Sequence, residues 1–231
     1  MLERGYNPAA YGWASIQMDG GIQRVIQKMV SWFKQQLEHD RPMEKVQAGL
    51  GALRVALVTH GVVSEAAAAF ARLSQIIVAA GGLIVVGEHD PLLQNGHIEN
   101  VGIDNELHPT LSYAQVARET GFHIMAMPTR DWGEILTGLG AAGVEIILAY
   151  HDNSALPGHP MIPVLQITEA DSRSPEHSAA WDVNLKDTPT DWPRQLLDTI
   201  VKTLSHEYTP NSLALGNVNF QITRGLLGVS L

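Results

Sequence analysis

The sequence predicts a three-layer α/β/α domain with a mostly parallel, Rossmann-like sheet and a helical N-terminal extension. Short apolar runs alternate with helical segments, and most of these runs are apolar almost without interruption. Strands of that composition are typical of parallel sheets that helices cover on both faces. The length of 231 residues suits one large domain of this kind. We predict that residues 1–45 form the extension and residues 46–231 the α/β domain.

The extension contains one amphipathic helix, predicted at 21–38, where apolar residues recur every three or four positions. The elements of the α/β domain are predicted in the order strand 53–58, helix 64–80, strand 83–86, helix 112–120, strand 123–127, helix 132–142, strand 145–150, strand 162–168 and helix 191–206. Ser64 is a candidate N-cap, and two glycines at 81–82 end the same helix. Asp191 is the candidate N-cap of the last helix, with Pro193 in its first turn.

Two polar segments, 88–109 and 171–190, are predicted loops, because they are rich in residues that favour turns over regular structure. A loop as long as 88–109 is typical of a functional or mobile segment. In the tail, 211–231, only the VNFQI segment is a candidate short strand.

Composition excludes several classes of protein and partner. There is no cysteine, which rules out disulfides, thiolate nucleophiles and cysteine-bound metal clusters and suits a cytoplasmic protein. The formal charge is −9, and no two basic residues are adjacent, so we predict no nucleic-acid partner. No signal peptide and no apolar stretch long enough for a membrane span is visible, so we predict no membrane partner. The scattered tryptophans are compatible with a homo-oligomer.

Polar side chains follow four of the predicted strands, at the points where ligands bind to open α/β sheets. The four segments are Thr59 to Gly61, Glu88 to Asp90, Pro128 to Asp131 and His151 to Ser154. Histidine next to carboxylates suits either a divalent metal or acid–base catalysis. A chance distribution of ten histidines is the alternative, because no metal-binding motif with fixed spacing is present.

Two further residues stand out near these loops. His159 lies in the segment LPGHPMIPVLQIT, where glycine and prolines hold the backbone stiffly before a buried strand. The alternative there is a plain turn with a solvent-facing histidine. Arg130 follows a strand and is placed to bind a carboxylate, although it could equally pair with Asp131 or Glu134.

Several blocks of the chain, taken in order, resemble the C-terminal part of the altronate/galactarate dehydratase family (UxaA-like). The blocks are QIIVAAGGLIVVGE at 75–88, HIMAMP at 123–128, ILTGLGAAGVEIILAY at 135–150, PGHPMIPVLQIT at 157–168 and WDVNL at 181–185. The resemblance covers roughly residues 45–190. It implies a hydro-lyase that removes water from a sugar acid and yields a 2-keto-3-deoxy acid with the help of a divalent metal.

The resemblance also implies roles for individual residues. The positions that match the family are Glu88, Gly158, His159, Asp182 and Asn184. Three signature loops of the family are changed: "CGGSD" has become Thr59 to Glu65, "TTGRG" has become Tyr150 to Ser154, and "MDTPG" has become Met125 to Thr129.

Two hypotheses follow from the match and its departures. The first is a divergent dehydratase acting on a sugar acid or related hydroxy acid, with Fe2+, Mn2+ or Mg2+ as its cofactor. Its predicted residues are His159, Glu88 and His60 for catalysis, Arg130, Asn153, Ser154, Asp182 and Asn184 for substrate, and His151 and Asp152 for metal. The second is a non-catalytic relative that serves as a binding subunit. A partner chain that supplies the family's missing domains would fit either hypothesis.

Overall fold

The computed structural model describes residues 20–39, 47–61, 65–93, 110–151, 154–169, 179–185, 188–220, 223–224 and 229–230. The chain divides into two compact units, Met1–Gln47 and Ala48–Leu231. In the first unit, helix α1 runs from Ile22 to His39 and confirms the helix predicted at 21–38. Within the described ranges, no helix has both the length and the apolar character needed to cross a membrane.

The second unit is built on a six-stranded, all-parallel sheet, which confirms the predicted fold class. Its strands are β1 (Arg54–His60), β2 (Leu83–Gly87), β3 (Gly121–Met125), β4 (Ile146–His151), β5 (Val164–Thr168) and β6 (Val183–Asn184). Their spatial order is β3-β2-β1-β4-β5-β6. The longer helices are α2 (Ala66–Ala79), α3 (Trp132–Ala141) and α4 (Trp192–Leu204). The short helix α5 (Asn211–Ala214) and an antiparallel pair, β7 (Thr223–Arg224) and β8 (Val229–Ser230), follow.

Each face of the sheet carries its own apolar core. Side chains of α2 and α4, among them Phe70 and Leu196, pack with alternate residues of the strands on one face. Leu136 and Leu139 of α3 pack with the remaining strand residues on the other face. The strands are therefore buried on both sides, which explains why they are almost entirely apolar in sequence.

The helix predicted at 112–120 is wrong. The segment is not helical, and Ala114 has a φ of 59°, in the left-handed region. Leu111 forms a parallel bridge with Met125 of β3, and the Ala117 N–H donates to the carbonyl of Ala142. Leu111 and Ala117 are both buried in the α3-side core. Two core positions of the segment, six residues apart, thus bond to distant backbone groups and not to each other's helical turn.

Helix starts also differ from the local predictions. Ser64 lies outside the described residues, and α2 begins at Ala66, whose N–H donates to Glu169 Oε1 at 2.6 Å. Glu169 directly follows β5, so this cap comes from a residue 103 positions away. Asp191 stands at the start of α4, but its side chain makes no capping hydrogen bond to the described residues. Strand β6 lies within the predicted loop 171–190 and was missed because only two residues pair.

Candidate functional site

The candidate site lies where the strand order reverses, between β1 and β4. Ligands of open α/β sheets bind outside the carboxyl ends of the strands at such a point. The register of these two strands makes His60 and His151 direct partners at their last residues. Their ring centroids are 6.1 Å apart, with the ring planes tilted by 52°. The structure therefore brings two of the predicted site residues together.

The two histidines have different surroundings. His60 is exposed, whereas His151 is fully buried. The ring of His151 meets the indole of Trp132 edge-on at 5.0 Å and lies 6.1 Å from the indole of Trp181. Trp132 is the first residue of α3, and its Nε1 donates to the carbonyl of Pro157 at 2.7 Å. One indole thus ties helix α3, the buried histidine and the loop after β4 together.

Glu88 directly follows β2, and its carboxylate makes two contacts with neighbouring residues. Its Oε1 accepts the Met127 N–H at 2.6 Å, which links the loops that follow β2 and β3. The same oxygen lies 3.7 Å from Nε2 of His89. This carboxylate therefore holds together the loops that follow β2 and β3, and its catalytic role remains a prediction.

Asp90 belongs to the predicted polar segment Glu88 to Asp90, and the structure shows a contact that the sequence did not predict, with Thr59 near the end of β1. The carboxylate accepts hydrogen bonds from the Thr59 N–H at 2.7 Å, the Thr59 hydroxyl at 2.5 Å and the Leu92 N–H at 2.9 Å. Burial raises the pKa of Asp90 to about 6, although these hydrogen bonds act in the opposite direction. The only signal in the sequence is an Asp shortly after a buried strand, which does not reveal its partner on another strand.

His159 lies in the turn that precedes β5. It is 3% exposed, and its ring meets the ring of Phe220 edge-on at 5.3 Å. Nδ1 accepts the Met161 N–H at 3.2 Å, while Nε2 has no hydrogen-bond partner among the described residues. Burial lowers the pKa of His159. The side chain faces Phe220 and not solvent, so the alternative of a solvent-facing histidine is wrong, while the catalytic role of His159 remains a prediction.

The segment that follows α4 packs directly on the turn at His159. The Gly158 N–H donates to the carbonyl of Asn217, and the Asn219 N–H donates to the carbonyl of Gly158, both at 2.9 Å. A Cβ atom added to Gly158 would lie 2.8 Å from the Cβ of Ser212. Only glycine allows this close approach of the two segments.

We expect Gly158→Ala to lower the free energy of unfolding by about 1–3 kcal/mol, because the new methyl group overlaps Ser212. Urea titration measures the change. Adding Ser212→Gly should recover part of the loss by making room for the methyl group. A Gly158→Ala protein as stable as the original would contradict the tight contact.

Asp182 also acts on the backbone. Its carboxylate accepts the Gln166 N–H, the Tyr208 hydroxyl and the Asn211 N–H at 2.6–2.7 Å. Burial raises the pKa of Asp182, and burial together with this carboxylate raises the pKa of Tyr208. Asn184 lies on β6, and its carbonyl accepts from Gln195 Nε2 at 3.4 Å. Asp182 therefore anchors the C-terminal segment beside Trp181.

Two of the remaining predicted ligand residues, Arg130 and Ser154, lie outside the helices and strands. Arg130 and Ser154 are exposed, and Arg130 makes no ion pair with Asp131 or Glu134. Asp131 instead caps α3 by accepting the Glu134 N–H at 3.0 Å. Asp152 and Asn153 lie outside the described residues.

The described ranges contain no group of three or more His, Asp or Glu side chains arranged to hold a metal ion. His60, Glu88, His151 and His159 are therefore not joined as one such group. Among the described residues, no such group fits the divalent metal that the resemblance implies. The pair of His151 and Asp152 as metal ligands remains a prediction.

No protein-family model matches the chain, and no curated protein matches it. The resemblance to the dehydratase family remains a prediction that rests on the blocks quoted above.

Proposed function

We propose that this protein removes water from a hydroxy acid and that His60 transfers the proton. The observation that carries the proposal is the placement of His60 and His151 side by side at the reversal point of the sheet. The exposed ring of His60 is accessible to a small molecule, whereas the ring of its neighbour His151 is buried. Imidazole is suited to proton transfer near neutral pH.

The proposed reaction is an elimination of water and needs no oxidant or reductant. A base takes the proton from the carbon next to the carboxylate, and that electron pair forms a carbon–carbon double bond. The hydroxyl group on the adjacent carbon leaves with a proton as water. The resulting enol rearranges to a 2-keto-3-deoxy acid when the substrate also carries a 2-hydroxyl group. His60 serves as the base, and the proton it holds can be returned to the leaving hydroxyl.

Arg130 is the proposed anchor for the substrate carboxylate. It stands two positions before Trp132, whose indole contacts His151, so it belongs to a loop at the site. Its guanidinium is exposed and makes no ion pair with the described residues. A planar guanidinium binds a carboxylate through two parallel hydrogen bonds, which would orient the acid beside His60.

A binding subunit without catalysis is the second candidate. Specific observations favour it: Glu88 and Asp182 hold backbone amides, and His159 is buried beneath Phe220. Two predicted catalytic residues, Glu88 and His159, and one predicted substrate-binding residue, Asp182, thus have structural contacts in this chain.

The test is an assay for 2-keto-3-deoxy acids over a panel of aldonates and aldarates, run anaerobically with Fe2+, Mn2+, Mg2+ or chelator. We expect His60→Asn to lower kcat by about 100-fold, the lower range for losing a general acid–base group. His206→Asn is the matched control. His206 is exposed, follows α4 and has a φ of 60°, which asparagine tolerates. If the His60→Asn protein turns over substrate as fast as the original, the proposed role of His60 is refuted.

If the original protein is folded but converts no substrate of the panel, the hypothesis of a binding subunit without catalysis is favoured.

A further inference from the structure

We infer that Asp90 is a positioning residue that fixes the end of β1 so that the His60 ring faces His151. The inference rests on the proposed role of His60. Asp90 follows β2 and is not proposed to contact the substrate. It acts through Thr59, the residue directly before His60.

The two neighbours of β1 support its end unequally. Strand β4 pairs with β1 as far as His60, but the pairing with β2 stops at Leu57. On the β2 side, Thr59 therefore lies beyond the last paired residue. The Asp90 carboxylate accepts the Thr59 N–H there at 2.7 Å and takes the place of a strand partner.

Both oxygens of Asp90 are used in a way that restricts rotation of the strand. Oδ2 holds the backbone of Thr59, and Oδ1 holds its hydroxyl. Successive side chains of a strand point to opposite faces of the sheet, so fixing the backbone and side chain of Thr59 also fixes the direction of His60. The next residue, Gly61, has a φ of 99°, and the chain turns away from the sheet there.

Asp90 is itself held firmly. It is 7% exposed, and its Oδ1 also accepts the Leu92 N–H. Leu92 and Leu93 are buried in the core that contains Phe70. The carboxylate thus connects the end of β1 to the packed interior.

The test uses Thr59→Val, which removes only the hydroxyl bond to Asp90, with Thr59→Ser as the variant that keeps it. Thr203→Val is the control for stability. Thr203 is also buried, and its hydroxyl also makes one hydrogen bond, to the Thr199 carbonyl in α4. Asp90→Asn is a second probe of the same contact, and each variant is first checked for folding by circular dichroism.

The first readout is independent of activity. In the original protein, in Thr59→Ser and in Thr203→Val, we expect nuclear Overhauser contacts between the ring protons of His60 and His151. Thr59→Val and Asp90→Asn should weaken or lose them. Unchanged contacts in both variants would overturn the inference.

The second readout is kinetic. Thr59→Val should lower kcat per folded molecule at least 10-fold with little change in KM, while Thr59→Ser and Thr203→Val retain it. Equal losses in Thr59→Val and Thr203→Val would show a merely stabilising role and overturn the inference. The original protein could show the contacts between the His60 and His151 rings but no turnover. In that case the proposed function fails, and the effect of the variants on these ring contacts alone tests whether Asp90 positions His60.

Discussion

Phe70→Ala should lower the free energy of unfolding by about 3–5 kcal/mol, the range for removing a fully buried aromatic ring. Phe70 is 1% exposed in the core between the sheet and α2. Its ring meets Tyr150 of β4 edge-on at 6.1 Å, so truncation removes an aromatic contact as well as apolar area. Interiors are packed too densely to close around the space that is left.

Urea unfolding followed by circular dichroism measures this effect. Val201→Ala is the control, because Val201 lies on α4 and is 46% exposed, and its truncation should change stability by less than about 0.5 kcal/mol. A loss below about 1 kcal/mol for Phe70→Ala would contradict the placement of Phe70 in the core.

Asp90 should make the protein less stable as the pH rises from about 4 to about 6. The pKa of this carboxyl is raised from 3.8 to about 6 in the folded protein. In that window the folded protein holds a proton that the unfolded chain has released, so the free energy of unfolding falls with rising pH. A shift of about two units at about 1.4 kcal/mol each amounts to a loss of about 3 kcal/mol.

The measurement is the free energy of unfolding from pH 3.5 to 8 for the original protein and for Asp90→Asn. Asparagine does not titrate, so the difference between the two curves should change by about 3 kcal/mol across the window. Asp182 also has a raised pKa, but it is present in both proteins and cancels from the difference. Parallel curves would contradict a buried, titrating Asp90.

The fold was predictable because its strands are read directly from short apolar runs. The prediction of a helix at 112–120 was wrong because of contacts that the local sequence does not show. Leu111 pairs with β3, and Ala117 bonds to a backbone carbonyl after α3. The cap that Glu169 provides for α2 could not be predicted either, because local sequence patterns do not show contacts between residues 103 positions apart.

The candidate site was predictable to the extent that strand ends converge. Placing histidines at the ends of these two strands was enough to expect His60 and His151 near each other, once β1 and β4 are neighbours in the sheet. The hydrogen bonds of Glu88 and Asp182 could not be foreseen, because a carboxylate that holds a backbone N–H looks in sequence like one that holds a ligand.

The cap on α2 has a consequence for the order in which the chain becomes structured during synthesis. Glu169 reaches the first turn of α2 only after β5 has been made and has joined the sheet. Until then α2 has been synthesised but lacks its cap. The missing carboxylate is the one that accepts the Ala66 N–H and complements the positive end of the helix dipole. The start of α2 should therefore gain its full protection from hydrogen exchange late, together with β5.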